Sequence, residues 1–378
     1  MNQRFIPAVF YRGGSSKAVI FHRGDLPEAR AEIDPIILQV LGSPDPNGRQ
    51  LNGMGGGISS LSKAVIIGKS EHPEADIDYT FIQVAVDKPV CDWDGVCGNM
   101  SSAVGPFAVE EGLIEAAADG ECVVRIHETS TGKIIHARFA VKDGLPVVSG
   151  DFAIAGVAGT GSMIRLDYLD PGGALTGKLL PTGNVVDRVA LSDGSSVDVS
   201  MVDASNACCF VDAASVGVTG AESPDEIEAM PGLMAKLDDI RRSCGVLMGL
   251  GGAREAISLL SPRVAIVSAP APFTSLEGEV YGPETFDIGT RMLSMGRAHR
   301  AVPLASALCL GVACRIEGSI PQRLAAGVTG AEVRVGNPSG LLSVGAEVKR
   351  MGGDWIAESG VSFRTARRIM QGQVAIPK

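Results

Sequence analysis

The feature that most constrains the fold is a faint internal repeat, which places related short sequences in the two halves of the chain. Ser16, in SSKAVIFHRGDLP, aligns with Asn206, in NACCFVDAASVGVTG. GMGGG and the later KAVII from Lys63 align with GLGGA and RVAIV from Arg263, and VCGN aligns with SMGR. The pairs keep their order and lie 190 to 200 residues apart. We therefore predict two copies of one domain that face each other across a cleft.

The length of 378 residues also fits two domains of ordinary size. The turn-dense segment DPGGALTGKLLPTGNVVD, residues 170–187, is the best candidate for the crossing between them. We predict a first domain over residues 1–185 and a second over 186–378, whose C-terminal tail can pack back on the first.

Three local patterns place the first motifs on elements of structure. Residues 5–27 are two apolar runs separated by RGGSSK, which predicts a hairpin. A helix is predicted over residues 28–41 and a strand over 77–90, where IDYTFIQVAVDKPV alternates. The hairpin tip is either an ordinary flexible turn or a loop that holds an anion.

Cys97 opens the apolar helical pattern of CGNMSSAVGPFAVEEG, so we predict that it lies at a helix N-terminus. Unpaired backbone N–H groups there favour a thiolate or a bound carboxylate. The alternative is a buried structural cysteine, which is a common role for a free thiol.

Lys63 ends the pattern GMGGGISSLSK and leads directly into an apolar strand. The glycines do not follow the order of a dinucleotide-binding fingerprint, so we interpret them as positions where backbone and ligand approach closely. A lysine beside a buried strand usually extends to solvent, so alone it would be structural.

The substitutions between the two copies indicate a division of roles. Lys63 aligns with Arg263, which can bind a carboxylate through its planar guanidinium but cannot act as a base near neutral pH. Cys97 aligns with Met295, which cannot exchange a proton. Asn206 and His299 would add hydrogen-bond donors to the second copy. We therefore expect proton transfer in the first copy only.

Composition excludes several classes of function. The formal net charge of -10 and the absence of a Lys/Arg block argue against a nucleic-acid partner. No signal peptide is recognisable, and the longest uncharged apolar stretch, residues 301–314, is too short to span a bilayer. The eight cysteines and five histidines show no metal-ligand spacing. We expect a soluble cytoplasmic protein with reduced thiols and no metal.

The chain resembles the PrpF family of isomerases, which is related to diaminopimelate epimerase and proline racemase. The resemblance rests on YRGGSSK, GSPDP, GMGGGISSLSK, DWDGVCGNMSSAVGPFA, LLPTGN, SMGRAH, GNPSG and RTARRIMQG, which together extend over nearly the whole chain. It implies an α+β, diaminopimelate epimerase-like fold. Two pseudo-symmetric domains would each have a barrel-like sheet around a central helix, with the active site in the cleft between them.

The resemblance also implies a cofactor-independent isomerase that moves a proton along an allylic system of an unsaturated di- or tricarboxylate. It is most similar to the 2-methylaconitate isomerases, with Lys63 and Cys97 as the catalytic residues. The oligomeric state stays open, with a homodimer as a candidate. The residues expected to bind substrate are Arg12, Gly14, Ser15, Ser16, Lys17, Ser59, Ser60, Gly98, Asn99, Asn206, Arg263, Ser294, Met295, Gly296 and Arg297.

Other functions remain open from the sequence. Methylitaconate or aconitate isomerisation and 4-oxalomesaconate tautomerisation would use the same residues on another substrate. A racemase with two thiols is disfavoured, because Met295 aligns with Cys97. The remaining alternative is a protein that binds polycarboxylates without catalysis.

Overall fold

The computed structural model describes residues 2–94, 97–154, 156–259, 261–294, 296–325, 327–328, 330 and 332–377. The chain forms two compact units. Unit 1 comprises Met1–Tyr168 and Phe363–Lys378, and unit 2 comprises Leu169–Ser362. The domain boundary predicted after residue 185 lies further along the chain than this division.

The elements up to the first division are β1 (Gln3–Gly13), β2 (Ser16–His22), α1 (Arg30–Leu41), β3 (Lys63–Lys69), β4 (Ile77–Val84), β5 (Cys91–Asp92), α2 (Ser101–Glu110), β6 (Gly120–Glu128), β7 (Lys133–Lys142), β8 (Leu145–Pro146) and β9 (Ile164–Leu169). The later elements are β10 (Asp187–Ala190), β11 (Ser196–Ala204), β12 (Asn206–Asp212), α3 (Ala213–Val216), α4 (Pro224–Ala229), α5 (Leu233–Leu247), β13 (Arg263–Ser268), β14 (Phe273–Thr274), β15 (Val280–Tyr281), β16 (Ile288–Ser294), β17 (Arg297–Ala298), α6 (Leu304–Ala313), α7 (Ile320–Leu324), β18 (Glu332–Asn337), β19 (Gly340–Met351), β20 (Asp354–Arg364) and β21 (Ala366–Pro377).

The predicted hairpin and first helix are confirmed by β1, β2 and α1. The strand predicted over residues 77–90 is too long, because β4 ends at Val84. Residues 85–90 instead form a turn closed by a hydrogen bond from the amide of Ala85 to the carbonyl of Val90, and the chain returns as β5. Pro89 lies in this turn, where its missing N–H costs no ladder hydrogen bond.

In unit 1 a sheet curves around one helix. The strand order is β21, β1, β2, β3, β4, β6, β7, β9, and neighbours are antiparallel except for the parallel pairs β2–β3 and β4–β6. Helix α2 contacts β21, β1, β4, β6 and β7, so strands from across the sheet pack around it. Every residue of α2 from Ser101 to Val109 is buried, as expected for a helix that is apolar on all sides.

Alternation along the strands decides which side chains face α2. Val65 and Ile67 of β3 pack in the cluster that contains α2, whereas Ala64 and Ile66 pack in the cluster that contains α1. Successive residues of a strand point to opposite faces of the sheet. Lys63, which shares the alternation of Val65, therefore lies on the α2 face.

Unit 2 repeats this arrangement. The hairpin β11–β12 is followed by parallel β13, antiparallel β16, parallel β18 and antiparallel β19. Helix α6 packs against β11, β12 and β19, and α5 packs on the other face with β10 and β13. Each unit is therefore a sheet with one apolar helix on its inner face and another helix on its outer face.

Strand register confirms the first two alignments of the repeat. In β2–β3 Val19 lies opposite Ala64, and in β12–β13 Cys209 lies opposite Val264. The separation of Val19 from Cys209 along the chain equals that of Ser16 from the start of β12. The separation of Ala64 from Val264 equals that of the start of β3 from the start of β13. The first residues of β3 and β13 therefore occupy equivalent positions.

Strand register contradicts the third alignment. Gln83 at the end of β4 lies opposite Asp92, and the equivalent Ser294 of β16 lies opposite Arg297. Arg297 therefore occupies the position of Asp92 and not that of Asn99. The reason is that the turn after β4 is long and the turn after β16 is short, so a constant displacement does not extend past them.

Met295 lies outside the described residues, and helix position gives a different counterpart for Cys97. Cys97 precedes the first residue of α2 by four positions, and Arg300 precedes the first residue of α6 by four. Arginine also lacks a thiol. The expectation that proton transfer is confined to the first copy is therefore the same for either counterpart, and it stays a prediction.

None of the described helices is long and apolar enough to cross a membrane.

Candidate active site

The turn that begins at Cys97 leads directly into α2, as predicted. The carbonyl oxygen of Cys97 accepts hydrogen bonds from the backbone N–H and the hydroxyl of Ser101 and from the hydroxyl of Tyr79, each at 3.1 Å. Both of these partners are buried. Three donors on one carbonyl hold the backbone of Cys97 in place, and the residue is 9% exposed.

The turn also carries three backbone amides at the start of α2. No described residue accepts a hydrogen bond from the amides of Gly98, Asn99 or Met100. Such amides at the start of a helix point towards an incoming anion and favour negative charge. This is the local feature that the sequence predicted for the start of α2.

Lys63 is buried in unit 1, contrary to the usual behaviour of a lysine beside a strand. It is 7% exposed. Its Nζ donates to Oε1 of Gln83 at 2.5 Å and lies 4.9 Å from the ring centroid of Phe81. Gln83 is oriented in turn by donating to the carbonyls of Ser59 and Ser62 at 3.1 and 2.9 Å. No carboxylate of the described residues forms an ion pair with this amine.

Burial lowers the pKa of Lys63 below its ordinary value of 10.5. Negative charge on Cys97 acts in the opposite direction and raises the pKa of the amine. The two side chains are thus within electrostatic reach of each other, on the face of the sheet that packs against α2. A buried amine beside a thiol is an arrangement that can exchange protons with a ligand.

Asn99 links the turn after Cys97 to the tip of the first hairpin. Its Nδ2 donates to the hydroxyls of Ser15 at 3.2 Å and Ser16 at 3.5 Å. The hairpin tip lies so close that a Cβ on Gly14, whose φ is +53°, would be 2.3 Å from Oδ1 of Asn99. Glycine is therefore required here both for the left-handed backbone and for the close approach.

The charged residues of the hairpin have other surroundings. Nη1 of Arg12 donates to the carbonyls of Gly14 and Thr365, both at 2.9 Å, so it supports the turn. Lys17 lies opposite Arg12 in register, on the other face of the hairpin from Ser16, and its Nζ is 5.4 Å from the ring centroid of Phe10. Neither contact directs these cations towards Cys97.

Ser59 and Ser60 lie on a single helical turn just before β3. The carbonyl of Ser59 accepts a hydrogen bond from Gln83. The same stretch is held by a second residue that the sequence did not identify. The buried Gln50 donates to the hydroxyls of Ser43 and Ser62, both at 2.7 Å, and accepts from the amide of Gly57 at 3.0 Å. One side chain thus fixes three points of the loop that leads to Lys63.

Arg364 is a second residue that sequence reasoning missed. It is 7% exposed, and its Nε donates to Oδ1 of Asn99 at 3.2 Å. Burial lowers its pKa, and Tyr168 and Cys97 act in the opposite direction. The available signal was an arginine inside the apolar run GVSFRTA with no acidic neighbour.

Unit 2 carries the polar group that was predicted around Asn206 and Arg263. Nη1 of Arg263 donates to the hydroxyl of Ser306 on α6 at 3.0 Å, and Asn206 donates to the same oxygen at 3.3 Å. Nε of Arg263 is buried and has no hydrogen-bond partner among the described residues. The pKa of His299 is lowered by desolvation, and the charge of Arg263 acts in the same direction.

The remaining predicted residues lie around the short hairpin β16–β17. Gly296 is exposed, and Arg297 forms an ion pair with Glu228 at 2.8 Å with 76% of its side chain exposed. Ser294 ends β16, and Met295 is not described. Arg297 therefore has a carboxylate partner already, whereas no carboxylate of the described residues pairs with Arg263.

The family model of the PrpF protein matches residues 3–377. The chain belongs to the PrpF family. It is 40% identical to a 3-methylitaconate isomerase of Eubacterium barkeri, covering 100% of this chain and 98% of that protein. It is 38% identical to a 2-methyl-aconitate isomerase of Shewanella oneidensis, covering 99% and 97% respectively.

A solved structure agrees with these relatives. The crystal structure of a methylitaconate-delta-isomerase matches with a TM-score of 0.92 at 39% identity, covering 100% of this chain and 97% of that one. This PrpF chain is therefore an isomerase, and the predicted α+β, diaminopimelate epimerase-like fold is confirmed.

Proposed function

We propose that this PrpF protein moves a proton along the allylic system of an unsaturated di- or tricarboxylate without a cofactor. Lys63 acts as the base and Cys97 as the acid, and the reaction is most like that of the 2-methylaconitate isomerases. The observation that supports this most is the buried Lys63 amine, with its lowered pKa and no carboxylate partner among the described residues, within electrostatic reach of Cys97.

Lys63 suits the role of base because its environment favours the neutral amine. Removal from water disfavours the ammonium form, and Gln83 supplies an acceptor that orients Nζ without adding negative charge. A base is most effective when its pKa is near the working pH. A carboxylate in place of Gln83 would have the opposite effect on the pKa.

Cys97 suits the role of acid because its position is fixed by three hydrogen bonds to its carbonyl. The thiol can give its proton to a carbon of the substrate, which leaves a thiolate. The amides of Gly98, Asn99 and Met100, which have no acceptor among the described residues, can also stabilise negative charge that develops on a substrate carboxylate.

The proposed reaction has two steps. Neutral Lys63 takes a proton from the carbon beside the carboxylate, which gives an ammonium group and a dienolate delocalised over the allylic carbons. The thiol of Cys97 then protonates the far carbon, which shifts the double bond and leaves a thiolate. Return of the proton from the ammonium to the thiolate restores both groups, so no electrons enter or leave.

Arg263 and Asn206 are the proposed carboxylate-binding residues of unit 2. This assignment is supported by Nε of Arg263, which is buried and has no hydrogen-bond partner among the described residues. A planar guanidinium suits a carboxylate.

The first experiment follows 2-methylaconitate, 3-methylitaconate, trans-aconitate and 4-oxalomesaconate by proton NMR with purified protein. We expect isomerisation of at least one. Lys63→Met should lower kcat by at least about a thousandfold, the upper range for one acid–base group. Lys69→Met is the matched control, because Lys69 lies at the exposed end of the same strand.

Cys97→Ser should be similarly impaired, and Cys122→Ser is its control, because both thiols are 9% exposed in the same cluster. Near-normal kcat in either Lys63→Met or Cys97→Ser would remove that residue from the mechanism. Binding of these compounds without any change in their spectra would indicate a binding protein instead of an enzyme.

A further inference from the structure

Arg364 is a cation held inside unit 1 without a carboxylate partner. No described Asp or Glu forms an ion pair with it, and its hydrogen bonds are to Oδ1 of Asn99 and, through Nη1, to the carbonyl of Phe363 at 2.7 Å. Its Nη2 has no hydrogen bond to a described residue. Arg241, which is about equally buried, is paired with Asp238 at 2.7 Å.

An unpaired buried charge is costly. Removing an ion from water is unfavourable, and a partner of opposite charge offsets much of this penalty. Arginine cannot escape the cost by losing its proton near neutral pH. A guanidinium kept in this state is therefore suited to an anion that arrives from outside the chain.

The backbone around Arg364 is held firmly. The carbonyl of the next residue, Thr365, accepts from the amide of Gly14 at 3.0 Å and from Nη1 of Arg12 at 2.9 Å. Thr365 is 2% exposed. Arg12, which the sequence suggested as a substrate ligand, thus helps to position Arg364.

The guanidinium is also directed to the start of α2. Asn99, its partner, is two residues after Cys97 and belongs to the turn whose amides have no acceptor among the described residues. Asn99 also donates to Ser15, so the carboxamide is oriented from both sides. A guanidinium that contacts a helix-start residue, together with helix-end amides, offers the kind of donors that bind a carboxylate.

We propose that Arg364, with the amides of residues 98–100, binds a carboxylate of the substrate next to Cys97. The proposal rests on the proposed function for the identity of the substrate. It assigns to unit 1 its own carboxylate subsite, in addition to the one proposed for Arg263. A substrate that lacks a carboxylate near the reacting carbons would then be a poor ligand.

The test uses Arg364→Gln, with Arg367→Gln as the matched control. Arg367 lies three residues later and is exposed, and its substitution by Gln removes the same net charge. For the best substrate of the panel, Arg364→Gln should raise KM by at least about tenfold, the effect of one lost charge-assisted hydrogen bond. Arg364→Lys should be intermediate, because it keeps the charge but loses the planar fork.

A second measurement separates this proposal from the proposed function. Propane-1,2,3-tricarboxylate cannot isomerise, and its Kd can be measured by calorimetry. We expect wild-type protein, Arg367→Gln and Lys63→Met to bind it, and Arg364→Gln to bind at least about tenfold more weakly. If these binding results were obtained but no substrate were turned over, the carboxylate subsite would be supported and the proposed isomerase reaction would be rejected. Unchanged Kd and KM in Arg364→Gln, or no binding by the wild type, would overturn the subsite.

Thermal unfolding tests whether Arg364 has only a structural role. Because the charge has no partner, Arg364→Met should not lower Tm, whereas a residue kept for stability should lower it. A marked loss of Tm in both Arg364→Met and Arg364→Lys, with tricarboxylate binding by the folded fraction equal to that of the wild type, would contradict the proposal.

Discussion

Gln83→Glu tests the role of Lys63 with almost no change in shape. Oε1 of Gln83 is 2.5 Å from Nζ of Lys63, and Glu would place a carboxylate in the same position, where Lys63 has no carboxylate now. An opposite charge at this distance favours the charged form and moves a pKa by roughly one to three units. The pKa of Lys63, now lowered by burial, should therefore rise.

The expected magnitude follows from the fraction of neutral amine. Below its pKa, this fraction falls about tenfold for each unit by which the pKa rises. At neutral pH kcat/KM should therefore drop by roughly tenfold to a thousandfold, and the loss should diminish as the pH is raised. The sign follows because a base works in its deprotonated form, which the new carboxylate disfavours.

The assay is the pH profile of kcat/KM for wild type, Gln83→Glu and the control Gln373→Glu, which adds the same charge at an exposed position of β21. The ascending limb of the profile, which reports deprotonation of the base, should move to higher pH in Gln83→Glu only. An unchanged profile in a folded Gln83→Glu protein would refute the assignment of Lys63 as the base.

Further predictions concern the supports of the site. Gly14→Ala should lower both Tm and activity, because its Cβ would lie 2.3 Å from Oδ1 of Asn99 at a φ of +53°. Gly112→Ala, at a similar φ but with no atom near, is the control for backbone strain. Equal effects of the two substitutions would show that the close approach is unimportant. Gln50→Leu should destabilise the protein by about 1–3 kcal/mol, since it leaves the amide of Gly57 without its acceptor, as measured by urea unfolding; an unchanged midpoint would contradict this. Arg263→Lys should weaken the binding of propane-1,2,3-tricarboxylate, because the planar guanidinium is lost. Arg297→Lys should bind this compound normally. Equal binding by wild type and Arg263→Lys would remove Arg263 from the site.

The sequence predicted the parts of this fold that depend on local pattern and on the repeat. The hairpin β1–β2, helices α1 and α2 and the equivalence of Lys63 with Arg263 follow from alternation, turn residues and displacement along the chain. The match of Asn99 with Arg297 failed because two hairpins differ in the length of their turns, which no constant displacement can represent.

The missed residues depend on contacts between distant parts of the chain. Arg364 reaches Asn99 across 265 residues, and Gln83 meets Lys63 only through the register of β3 with β4. Burial of Lys63 was also missed, because a lysine beside an apolar strand reaches solvent unless neighbouring elements cover it. Sequence patterns specify elements, whereas these contacts follow from how the elements pack.

The central claim is that Lys63 removes the proton and Cys97 returns one at the other carbon. The most direct test is proton NMR of the substrate in D2O with Cys97→Ser and Lys63→Met. We predict that Cys97→Ser exchanges the allylic proton of the substrate for deuterium faster than it isomerises, and that Lys63→Met does neither. Exchange at the wild-type rate by Lys63→Met would contradict the account.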